Sequence, residues 1–402
     1  MERRVVIVGA GAAGLGAAQA LRAAGWSPLL LEARDRIGGR AHTVPLGTAA
    51  FDRGASFIHA VEHGNPWADL ALAAGAVPRP DPRRRRLRGG QERSFAAALA
   101  SLDARLAGAA EGASVAQALL GESSEDALLR RFAGDWLSGV DPARVDAADL
   151  ASTFGGEDWL LPFGYGALVA AEGAGLDIRT GCTVRAVADE GHRVTVVTGD
   201  GPVHAEGVIV TVPVGVLAGG TIRFDPPLSD ALRSALTGLP TGRLVKVGIE
   251  LRYDPAGLGD DIYLLDGGEA ASPFLFSWRP AGQPLAMGFL GGAQAHALAR
   301  DGEAAIAAAA RAGLADHLGH DAARAVGEII VADWWDDPFA RGSYVVPLPG
   351  RGRDRDRLNE PISPRILYAG EAAHTGGWAG TVAGAWLSGR EAALRLVALL
   401  RP

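Results

Sequence analysis

The amino-terminal segment places a glycine-rich turn between a strand-like run and a helix-like run, and this feature constrains the fold most. Residues 5–8 (VVIV) are continuously apolar and β-branched, which is typical of a parallel strand buried on both faces. Gly9, Gly11 and Gly14 follow directly in the spacing GxGxxG. The first glycine allows a tight turn, the second admits a pyrophosphate to the backbone, and the third lets the helix pack on the strand. The helix amino terminus then offers free N–H groups to the phosphates.

The segment after this turn completes a dinucleotide-binding unit. Residues 17–24 are alanine-rich and predict a helix that ends at Gly25, and residues 29–31 predict a second buried strand. Glu32 ends that strand eighteen positions beyond Gly14, where its carboxylate can accept both hydroxyls of a ribose. The spacing fits NAD and FAD equally well.

The residues that follow favour FAD over a nicotinamide cofactor. Residues 32–40 (EARDRIGGR) add two glycines and Arg40, which can bring a second backbone segment and a guanidinium to the diphosphate. Gly54, Ala55 and Ser56 are small residues whose backbone can lie against a flat ring. The sequence therefore predicts an α/β fold with a Rossmann-like FAD-binding domain.

The composition limits the function classes that remain. The chain of 402 residues carries a formal net charge of -7, which argues against nucleic-acid binding because no overall basic field attracts phosphates. Cys182 is the only cysteine, which excludes an intrachain disulfide and a multi-cysteine metal site, and we expect no metal. No signal-peptide pattern precedes the first strand, and charges interrupt the apolar stretch 381–400. We therefore expect a cytoplasmic protein without a membrane span.

The rest of the chain alternates between helical and strand patterns. Residues 65–160 are alanine- and leucine-rich and predict helices, except that flanking prolines and glycines assign the basic run 83–86 to a solvated loop. The end repeats the opening order, with a strand, a glycine loop and a long helix from about Thr381. The other predicted elements are strands at 184–187, 194–197, 208–210, 244–251, within 274–290 and at 366–369, and a helix at 304–318.

Collinear motifs along nearly the whole chain resemble those of the flavin-containing amine oxidases: monoamine oxidases, polyamine and spermine oxidases, and lysine-specific histone demethylase. Polyamine and spermine oxidases are nearest in motif. The motifs are VVIVGAGAAGLGAAQAL, LLEARDRIGGRAHT, FDRGASFIHAVEHGNP, GCTVRAV, VIVTVPVGVL, FDPPL, GRLVKVGIEL, WWDDPFARGSY and YAGEAAHTGGWAGTVAGAWLSGREAA. The resemblance implies a discontinuous FAD domain, at 1–75, 175–225 and 335–402. An α+β substrate domain of mixed sheet and helices, at 76–174 and 226–334, is interleaved with it.

The resemblance also implies which residues contact the cofactor. It places Glu32 on the ribose, Arg40 on the diphosphate and the backbone of Val184 on the adenine. Trp334 matches a tryptophan at the dimethylbenzene side of the flavin, although Trp335 leaves this assignment open by one residue. The full implied set is Gly9, Gly11, Ala13, Gly14, Glu32, Ala33, Arg34, Gly39, Arg40, Gly54, Ala55, Ser56, Phe57, Val184, Trp334, Gly370, Glu371, Gly380, Thr381 and Val382.

The residues implied in substrate oxidation come from separate motifs. Lys246 matches a lysine that holds a water at flavin N5, and a lysine in so apolar a strand must either snorkel or serve a partner. Tyr344 matches one wall of an aromatic cage for the amine, and Thr381 stands at the second wall. The backbone amides at Thr381 would face the pyrimidine edge of the flavin. His59 and Glu157 match a histidine of animal polyamine oxidases and an acid of plant ones, and taken alone each is more often structural.

Two residues depart from the monoamine oxidase pattern. Those enzymes bond flavin covalently through a cysteine just before the tyrosine, whereas Ser343 stands here, so non-covalent FAD is expected. Thr381 replaces an aromatic cage wall, which implies a roomier pocket, with Trp378 as a partial substitute.

The implied function is oxidation of a small amine or polyamine by hydride transfer to flavin N5, with imine hydrolysis to an aldehyde and release of H2O2. Two enzymatic alternatives stay open. One is oxidation or desaturation of a non-amine, as in protoporphyrinogen oxidases and carotenoid desaturases. The other is amino-acid oxidation, with Arg279 or Arg341 as the carboxylate ligand. A non-catalytic flavin-binding module is disfavoured because Lys246 and Tyr344 are present. The sequence does not predict the oligomeric state.

Overall fold

The computed structural model describes residues 3–88, 92–121, 123–254, 257–266, 272–320 and 322–401. The strands, in chain order, are β1 (Arg4–Val8), β2 (Ser27–Leu31), β3 (Thr43–Leu46), β4 (Ala49–Asp52), β5 (Phe57–Ile58), β6 (Arg79–Pro80), β7 (Arg84–Arg88), β8 (Trp159–Leu160), β9 (Asp177–Arg179), β10 (Val184–Asp189), β11 (Val194–Thr198), β12 (Gly201–Ala205), β13 (Gly207–Val210), β14 (Arg223–Asp225), β15 (Leu244–Leu251), β16 (Ile262–Asp266), β17 (Leu275–Trp278), β18 (Leu285–Gly291), β19 (Val326–Ala332) and β20 (Ile366–Tyr368).

The α-helices lie between and after these strands. They are α1 (Ala12–Ala23), α2 (Pro66–Ala73), α3 (Glu92–Ala100), α4 (Leu102–Ala107), α5 (Val115–Ala118), α6 (Ser124–Arg131), α7 (Ala147–Ala151), α8 (Tyr165–Ala171), α9 (Val214–Ala218), α10 (Asp230–Gly238), α11 (Gly292–Arg300), α12 (Glu303–Leu318), α13 (Ala322–Ala325), α14 (Asp354–Leu358) and α15 (Val382–Leu400). A π-helical segment, Phe132–Ser138, continues α6. No helix within the described residues is long and apolar enough to span a membrane.

Five parallel strands form one sheet, in the order β20-β13-β1-β2-β9. Strand β1 lies at its centre, and its residues Val5, Val6, Ile7 and Val8 are all buried. A central parallel strand is covered on both faces, which explains the unbroken apolar run in the sequence. The predicted Rossmann-like sheet is confirmed.

Helices α1 and α15 pack on one face of this sheet and contact each other backbone to backbone. A Cβ at Gly16 would lie 2.6 Å from the carbonyl oxygen of Trp386, and a Cβ at Gly389 would lie 2.0 Å from that of Ala13. Glycine is therefore required at both positions for the helices to approach this closely. The carboxy-terminal helix thus completes the core that the amino-terminal helix begins.

Six strands form a second sheet, in the order β19-β15-β18-β17-β16-β7. In β15, Val245, Val247 and Ile249 are fully buried in a core shared with α12. Lys246 lies between them in sequence and therefore points to the opposite face, because side chains alternate along a strand. Smaller sheets have the orders β12-β11-β10-β14, β5-β8-β6 and β3-β4.

The basic run at 83–86 does not form the solvated loop that the sequence predicts, and that prediction is wrong. Residues Arg84–Arg88 form β7, an edge strand paired in parallel with β16. Charged side chains suit an edge strand because they discourage pairing with another chain. Alternation along β7 leaves Leu87 buried and Arg86 exposed, and it turns Arg85 to the side of Leu87.

Most other predicted elements are confirmed with small shifts at their ends. The strands at 184–187, 194–197, 208–210 and 244–251 appear as β10, β11, β13 and β15, and the helix at 304–318 as α12. The strand-like stretch 274–290 is two strands, β17 and β18, separated by a turn at Pro280–Gly282. The boundaries of the two interleaved domains stay a prediction.

We expect Gly14→Ala to destabilise the fold, because its Cβ would lie 2.0 Å from the carbonyl oxygen of Gly9. Gly9 has a φ of +108° and a Cβ there would contact Thr211, so the turn cannot shift freely. Overpacking of this kind costs about 1–3 kcal/mol, which urea unfolding followed by circular dichroism measures. In the control Gly199→Ala, the new Cβ would meet Arg185 Nη2 at 4.0 Å, so the loss should stay below about 0.5 kcal/mol. Equal stability of the two variants would contradict the close-contact explanation.

Candidate active site

A cavity of about 920 Å³ lies between the carboxyl ends of the parallel strands and the Lys246 face of the six-stranded sheet. Ligands of open α/β sheets bind at the carboxyl ends of the strands. The predicted site residues that line this cavity are Gly9, Gly11, Ala13, Glu32, Ala33, Arg34, Gly39, Arg40, Gly54, Ala55, Ser56, Phe57, His59, Val184, Lys246, Trp334, Tyr344, Gly370, Glu371, Gly380, Thr381 and Val382. Gly14 packs behind the turn, and Glu157 does not line the cavity.

The glycine turn forms a side-chain-free cradle at one end of the cavity. Gly11 and Gly38 form a parallel bridge, and a Cβ at Gly11 would lie 3.9 Å from the Cα of Gly39. Gly11 is also the N-cap of α1 and brings no side chain to the cap. The first N–H groups of the helix are therefore open to a ligand, and the positive end of the helix dipole favours an anion there.

Glu32 is buried at the end of β2 and organises this turn. Its Oε2 accepts a hydrogen bond from the Ala10 N–H at 2.8 Å, and its Oε1 accepts one from the Arg34 N–H at 2.9 Å. A carboxylate has about four acceptor positions, so Glu32 can also accept hydroxyl donors from the cavity. The Arg34 side chain itself donates to both oxygens of Asp337, at 2.8 and 2.6 Å.

Arg40 and Glu371 meet beside the cradle. Arg40 Nη1 donates to the Ser343 carbonyl at 2.6 Å and lies 3.3 Å from Glu371 Oε1. The same carboxylate accepts a hydrogen bond from the Val345 N–H at 3.3 Å. Because a guanidinium carries five N–H donors, Arg40 retains donors for an anionic ligand.

The structure resolves which of two adjacent tryptophans faces the cavity. Trp334 is buried, lines the cavity and donates from Nε1 to the Arg53 carbonyl at 3.1 Å. Trp335 instead packs edge-on against the His296 ring, with the ring centroids 4.8 Å apart. Of the two tryptophans between which the sequence left the choice open, Trp334 is therefore the one that lines the cavity.

Lys246 is the only lysine in the sequence, and it is 4% exposed. Its Nζ donates to the Gly54 carbonyl at 3.1 Å and to the Ser56 hydroxyl. The ammonium also lies 5.5 Å from the ring centroid of Phe51 and 5.6 Å from that of Phe289. A single side chain thus joins the six-stranded sheet to the loop that follows β4.

The surroundings of Lys246 change its proton affinity. Burial lowers the pKa of Lys246 to about 8, although the negative charge of Asp52 opposes the shift. An amine with this pKa can hold or release a proton near neutral pH, which an arginine cannot do. Since every other long cationic side chain here is arginine, the need for a positive charge alone does not explain a lysine at this position.

Tyr344 faces the loop before α15. A Cβ at Gly380 would lie 3.9 Å from Tyr344 Cδ2, and the phenol hydroxyl donates to the Leu137 carbonyl. Burial raises the pKa of Tyr344, so the phenol stays neutral. The edge of the Tyr344 ring thus lies next to Gly380, and its hydroxyl is fixed by the Leu137 carbonyl.

Thr381 is committed to capping α15. Its N–H and hydroxyl both donate to the Trp378 carbonyl, at 3.1 and 2.6 Å, and its Oγ1 accepts a hydrogen bond from the Gly384 N–H at 3.0 Å. The Thr381 N–H that was expected at the flavin edge is thus already paired. The Val382 N–H belongs to the first helical turn and has no acceptor within the helix. Trp378 supplies an aromatic side chain to the cavity here.

His59 lines the cavity and pairs with Asp158. Its Nδ1 lies 3.2 Å from Asp158 Oδ1, and Arg83 Nη2 donates to Asp158 Oδ2 at 2.9 Å. The exposed Glu157 accepts a hydrogen bond from Trp159 Nε1 at 2.6 Å instead. Adjacent side chains point to opposite sides of an extended segment, so the structure brings Asp158 rather than Glu157 to the cavity.

The family model of flavin containing amine oxidoreductases matches residues 80–397, and that of the NAD(P)-binding Rossmann-like domain matches residues 7–72. The chain belongs to the flavin containing amine oxidoreductase family. It is a flavin-dependent amine oxidoreductase, and FAD is its expected cofactor.

Similar proteins cover the chain from end to end. Polyamine oxidase 1 of Oryza sativa subsp. japonica is 28% identical over 98% of this chain and 97% of its own length. Lysine-specific histone demethylase 1B of Mus musculus is 27% identical over 99% of this chain, which spans only 53% of that relative. The solved structure of putrescine oxidase bound to putrescine has a TM-score of 0.82 at 21% identity and covers 99% of both chains. Cyclohexylamine oxidase from Brevibacterium oxydans IH-35A has a TM-score of 0.82 at 22% identity and covers 100% of both.

The donor set of this flavin amine oxidase fits FAD. The bare cradle of Gly11 and Gly39 at the start of α1 suits a diphosphate, since neither residue brings a side chain between the helix N–H groups and the cavity that both line. Glu32 suits the ribose, and Arg40 adds a cation beside the cradle. Each group thus matches one part of the dinucleotide.

A polar cluster that was not predicted from the sequence lies at the other end of the cavity and is formed by Asp81, Arg83, Arg85, Asp158 and Tyr263. Tyr263 donates from its hydroxyl to Asp81 Oδ2 at 2.6 Å, and burial raises its pKa well above the ordinary value. The available signal was alternation in the run 81–85, where Asp81, Arg83 and Arg85 line the cavity and the residues between them are exposed.

We expect Asp158→Asn to lose more stability at neutral pH than in acid. Burial alone would raise the pKa of Asp158, but the hydrogen bond and charge of His59, the charge of Arg83 and the Ala60 amide lower it to about 2. This folded-state pKa lies below the unfolded value, so the stabilisation is present above about pH 4 and is lost as the pH falls through 2. Denaturant unfolding should show a loss of about 2 kcal/mol at pH 7 and a smaller loss at pH 3.

The control for this prediction is Asp230→Asn. The Asp230 side chain is 97% exposed, so its pairing with Arg233 should contribute no comparable pH dependence. Equal losses at pH 7 and pH 3 for Asp158→Asn would contradict the ion-pair account.

Proposed function

We propose that the chain oxidises a small amine, with oxygen as the electron acceptor and FAD held non-covalently. The observation that carries the proposal is the position of Lys246. The only lysine of the chain is buried at the cavity, hydrogen-bonded to the loop of Gly54 and Ser56. Small residues in this loop leave room for a flat ring, and Tyr344 lines the same cavity.

The chain supplies orientation, and the cofactor supplies the redox chemistry. When bound between the glycine turn and Lys246, FAD would supply a two-electron acceptor for the hydride of the amine-bearing carbon, and oxygen would take up these electrons as hydrogen peroxide while water would hydrolyse the imine to a carbonyl compound and an amine or ammonia. Tyr344 presents its ring face to the amine, and Trp378 borders the same space. Fixing the amine in one geometry removes most of the entropy cost of the reaction.

Lys246 is placed to hold a water and a proton at the reacting end of the cavity. Its ammonium has three N–H donors, and the Gly54 carbonyl and the Ser56 hydroxyl use two of them. The third donor is available to a water molecule. Because its pKa is about 8, Lys246 can give a proton to the reduction of oxygen and recover it from solvent.

Ser343 supports the proposal that FAD is held non-covalently. Its Oγ accepts a hydrogen bond from the Leu244 N–H at 2.7 Å, so a hydroxyl tied to backbone occupies the position of a flavin-bonding thiol. Cys182 is buried near Glu32, whose carbonyl accepts its N–H at 2.8 Å. That places the only thiol beside the residue assigned to the ribose, away from Lys246.

The relatives support an amine substrate without selecting one. The names of those reported above denote a polyamine oxidase, a putrescine oxidase, a cyclohexylamine oxidase and a lysine-specific histone demethylase, whose amine substrates differ in length and shape. We therefore assign the amine class from the site and its family.

We expect the purified holoenzyme to release hydrogen peroxide with at least one member of a panel of spermine, spermidine, putrescine and simple alkylamines. The rate should rise with pH as the substrate ammonium deprotonates. Lys246→Met should lower turnover at least about tenfold while the absorbance of bound FAD is retained. Anaerobic reduction and reoxidation, followed separately by stopped-flow absorbance, locate the affected step. If no amine of the panel gives hydrogen peroxide, the proposed function is contradicted. If flavin reduction and reoxidation are as fast in Lys246→Met as in the parent, the role of the lysine is contradicted.

A further inference from the structure

Arg85 lies on the same sheet face as Lys246, at the opposite end of the cavity. Lys246 of β15 is paired with Phe289 of β18, and Phe289 is paired with Leu275 of β17. These three residues therefore form a row across three neighbouring strands. Two strands further on, Arg85 of β7 pairs with Tyr263 of β16. All five side chains line the cavity. Four strand spacings separate β15 from β7, which is about 19 Å along the sheet.

The floor between the two cations is apolar. Phe289 and Leu275 occupy it, so it suits a hydrocarbon chain rather than a string of charges. On this face of the sheet, the polar side chains that line the cavity therefore lie in two places, with Lys246 at one and Tyr263 and Arg85 at the other. A ligand that fits this arrangement is elongated, with a polar group at each end.

The acidic groups near Arg85 already have donors. Asp158 is paired with His59 and Arg83, and Asp81 accepts from the Tyr263 hydroxyl at 2.6 Å and from the Arg83 N–H at 3.0 Å. Of the other acids along the cavity, Asp149 is bound by Arg355 at 2.9 and 3.1 Å and Asp103 is exposed to solvent.

Arg85 differs from these neighbours because its donors are not used. It is half-buried, and within the described part of the chain its guanidinium has no hydrogen-bond or ion-pair partner. Burial lowers the pKa of Arg85, as expected for a cation withdrawn from water without a bound anion. A guanidinium with a free planar fork binds a carboxylate through two parallel hydrogen bonds.

We propose that Arg85 binds a carboxylate at the end of the amine substrate that is remote from the oxidised carbon. This rests on the proposed function and narrows the substrate to ω-amino carboxylates. α-Amino acids do not fit, because their carboxylate is attached to the carbon that is oxidised and cannot reach across the apolar floor. A second ammonium, as in a diamine, is also disfavoured because it would meet the unpaired cation.

The two arginines that the sequence offered for a carboxylate do not take this position. Arg279 donates to Asp260 at 2.7 Å and does not line the cavity. Arg341 does line the cavity, but a Cβ at Gly219 would lie 2.2 Å from its Nη1, which places its guanidinium against α9 beside the parallel sheet.

The test compares matched substrates in the holoenzyme. For each chain length, kcat/KM is measured by peroxide release for the ω-amino acid (4-aminobutanoate, 6-aminohexanoate, 8-aminooctanoate), the n-alkylamine of equal length and the corresponding diamine. The parent protein should prefer the amino acid over the alkylamine by about ten- to a hundredfold at the best length, the range of one charge-assisted contact. Arg85→Gln should reduce this preference to within about twofold, with the alkylamine rate retained.

The control is Arg86→Gln, which removes the same charge from an exposed position on the same strand and should keep the full preference. Arg85→Lys keeps the charge but not the planar fork, so it should retain only part of the preference. Equal kcat/KM for amino acids and alkylamines at every length in the parent, or an unchanged preference in Arg85→Gln, overturns the proposal.

A binding measurement separates this proposal from the proposed function. Hexanoate and octanoate carry the carboxylate without an amine, and their binding is followed by the change in the flavin absorbance spectrum. Their Kd should rise about tenfold or more in Arg85→Gln and stay unchanged in Arg86→Gln. If no amine is oxidised, the proposed function fails. Equal Kd values in the parent and Arg85→Gln then overturn the carboxylate site independently.

Discussion

The buried contact of Lys246 with Ser56 and Gly54 is the interaction on which the arrangement of the site depends. It joins the face of the six-stranded sheet to the loop that follows β4, and so fixes the cavity from both sides. Withdrawing an ammonium from water is costly, and here two oxygens and the rings of Phe51 and Phe289 offset that cost. Burial still lowers the pKa of Lys246 to about 8. The contact that fixes the geometry of the site therefore also sets the proton affinity of the amine.

The two ends of the cavity are built by different means. The end at the glycine turn consists mainly of backbone, with Gly11 and Gly39 side by side at the start of α1. The substrate end consists of side chains from distant parts of the sequence, such as Arg83 and Asp158, which meet at 2.9 Å. A nucleotide of constant shape suits the first construction. A substrate that varies between relatives suits the second, because side chains on separate strands can change independently.

This difference in construction explains what the sequence can predict. The glycine turn is local, so its spacing alone predicted the parallel sheet and the cradle at Gly11. Lys246 was identifiable because a cation in an apolar strand is unusual and the collinear motifs agree. Arg85 was not, since prolines and a run of arginines favour a loop when the partner strand, 178 residues further along at Tyr263, is not considered.

Two residues of the site also lie differently from what the sequence led us to expect, for physical reasons. Glu157 and Asp158 are adjacent acids in an extended segment, so their side chains point to opposite sides. Asp158 points to the cavity and Glu157 points away from it. Thr381 was expected to offer its N–H to the flavin, but a threonine before a helix caps it, and the Trp378 carbonyl takes both donors. Both differences concern the direction in which a group points, which sequence spacing does not determine.

The proton affinity of Lys246 reports whether its ammonium is buried at the site. Because the chain contains one lysine, protein labelled with 13Cε-lysine gives a single lysine signal in a carbon-detected NMR titration. We expect a midpoint at about pH 8 and loss of the signal in Lys246→Met. A midpoint close to 10.5, the value of an exposed lysine, would show that the amine is solvated and would contradict the buried contact with Ser56.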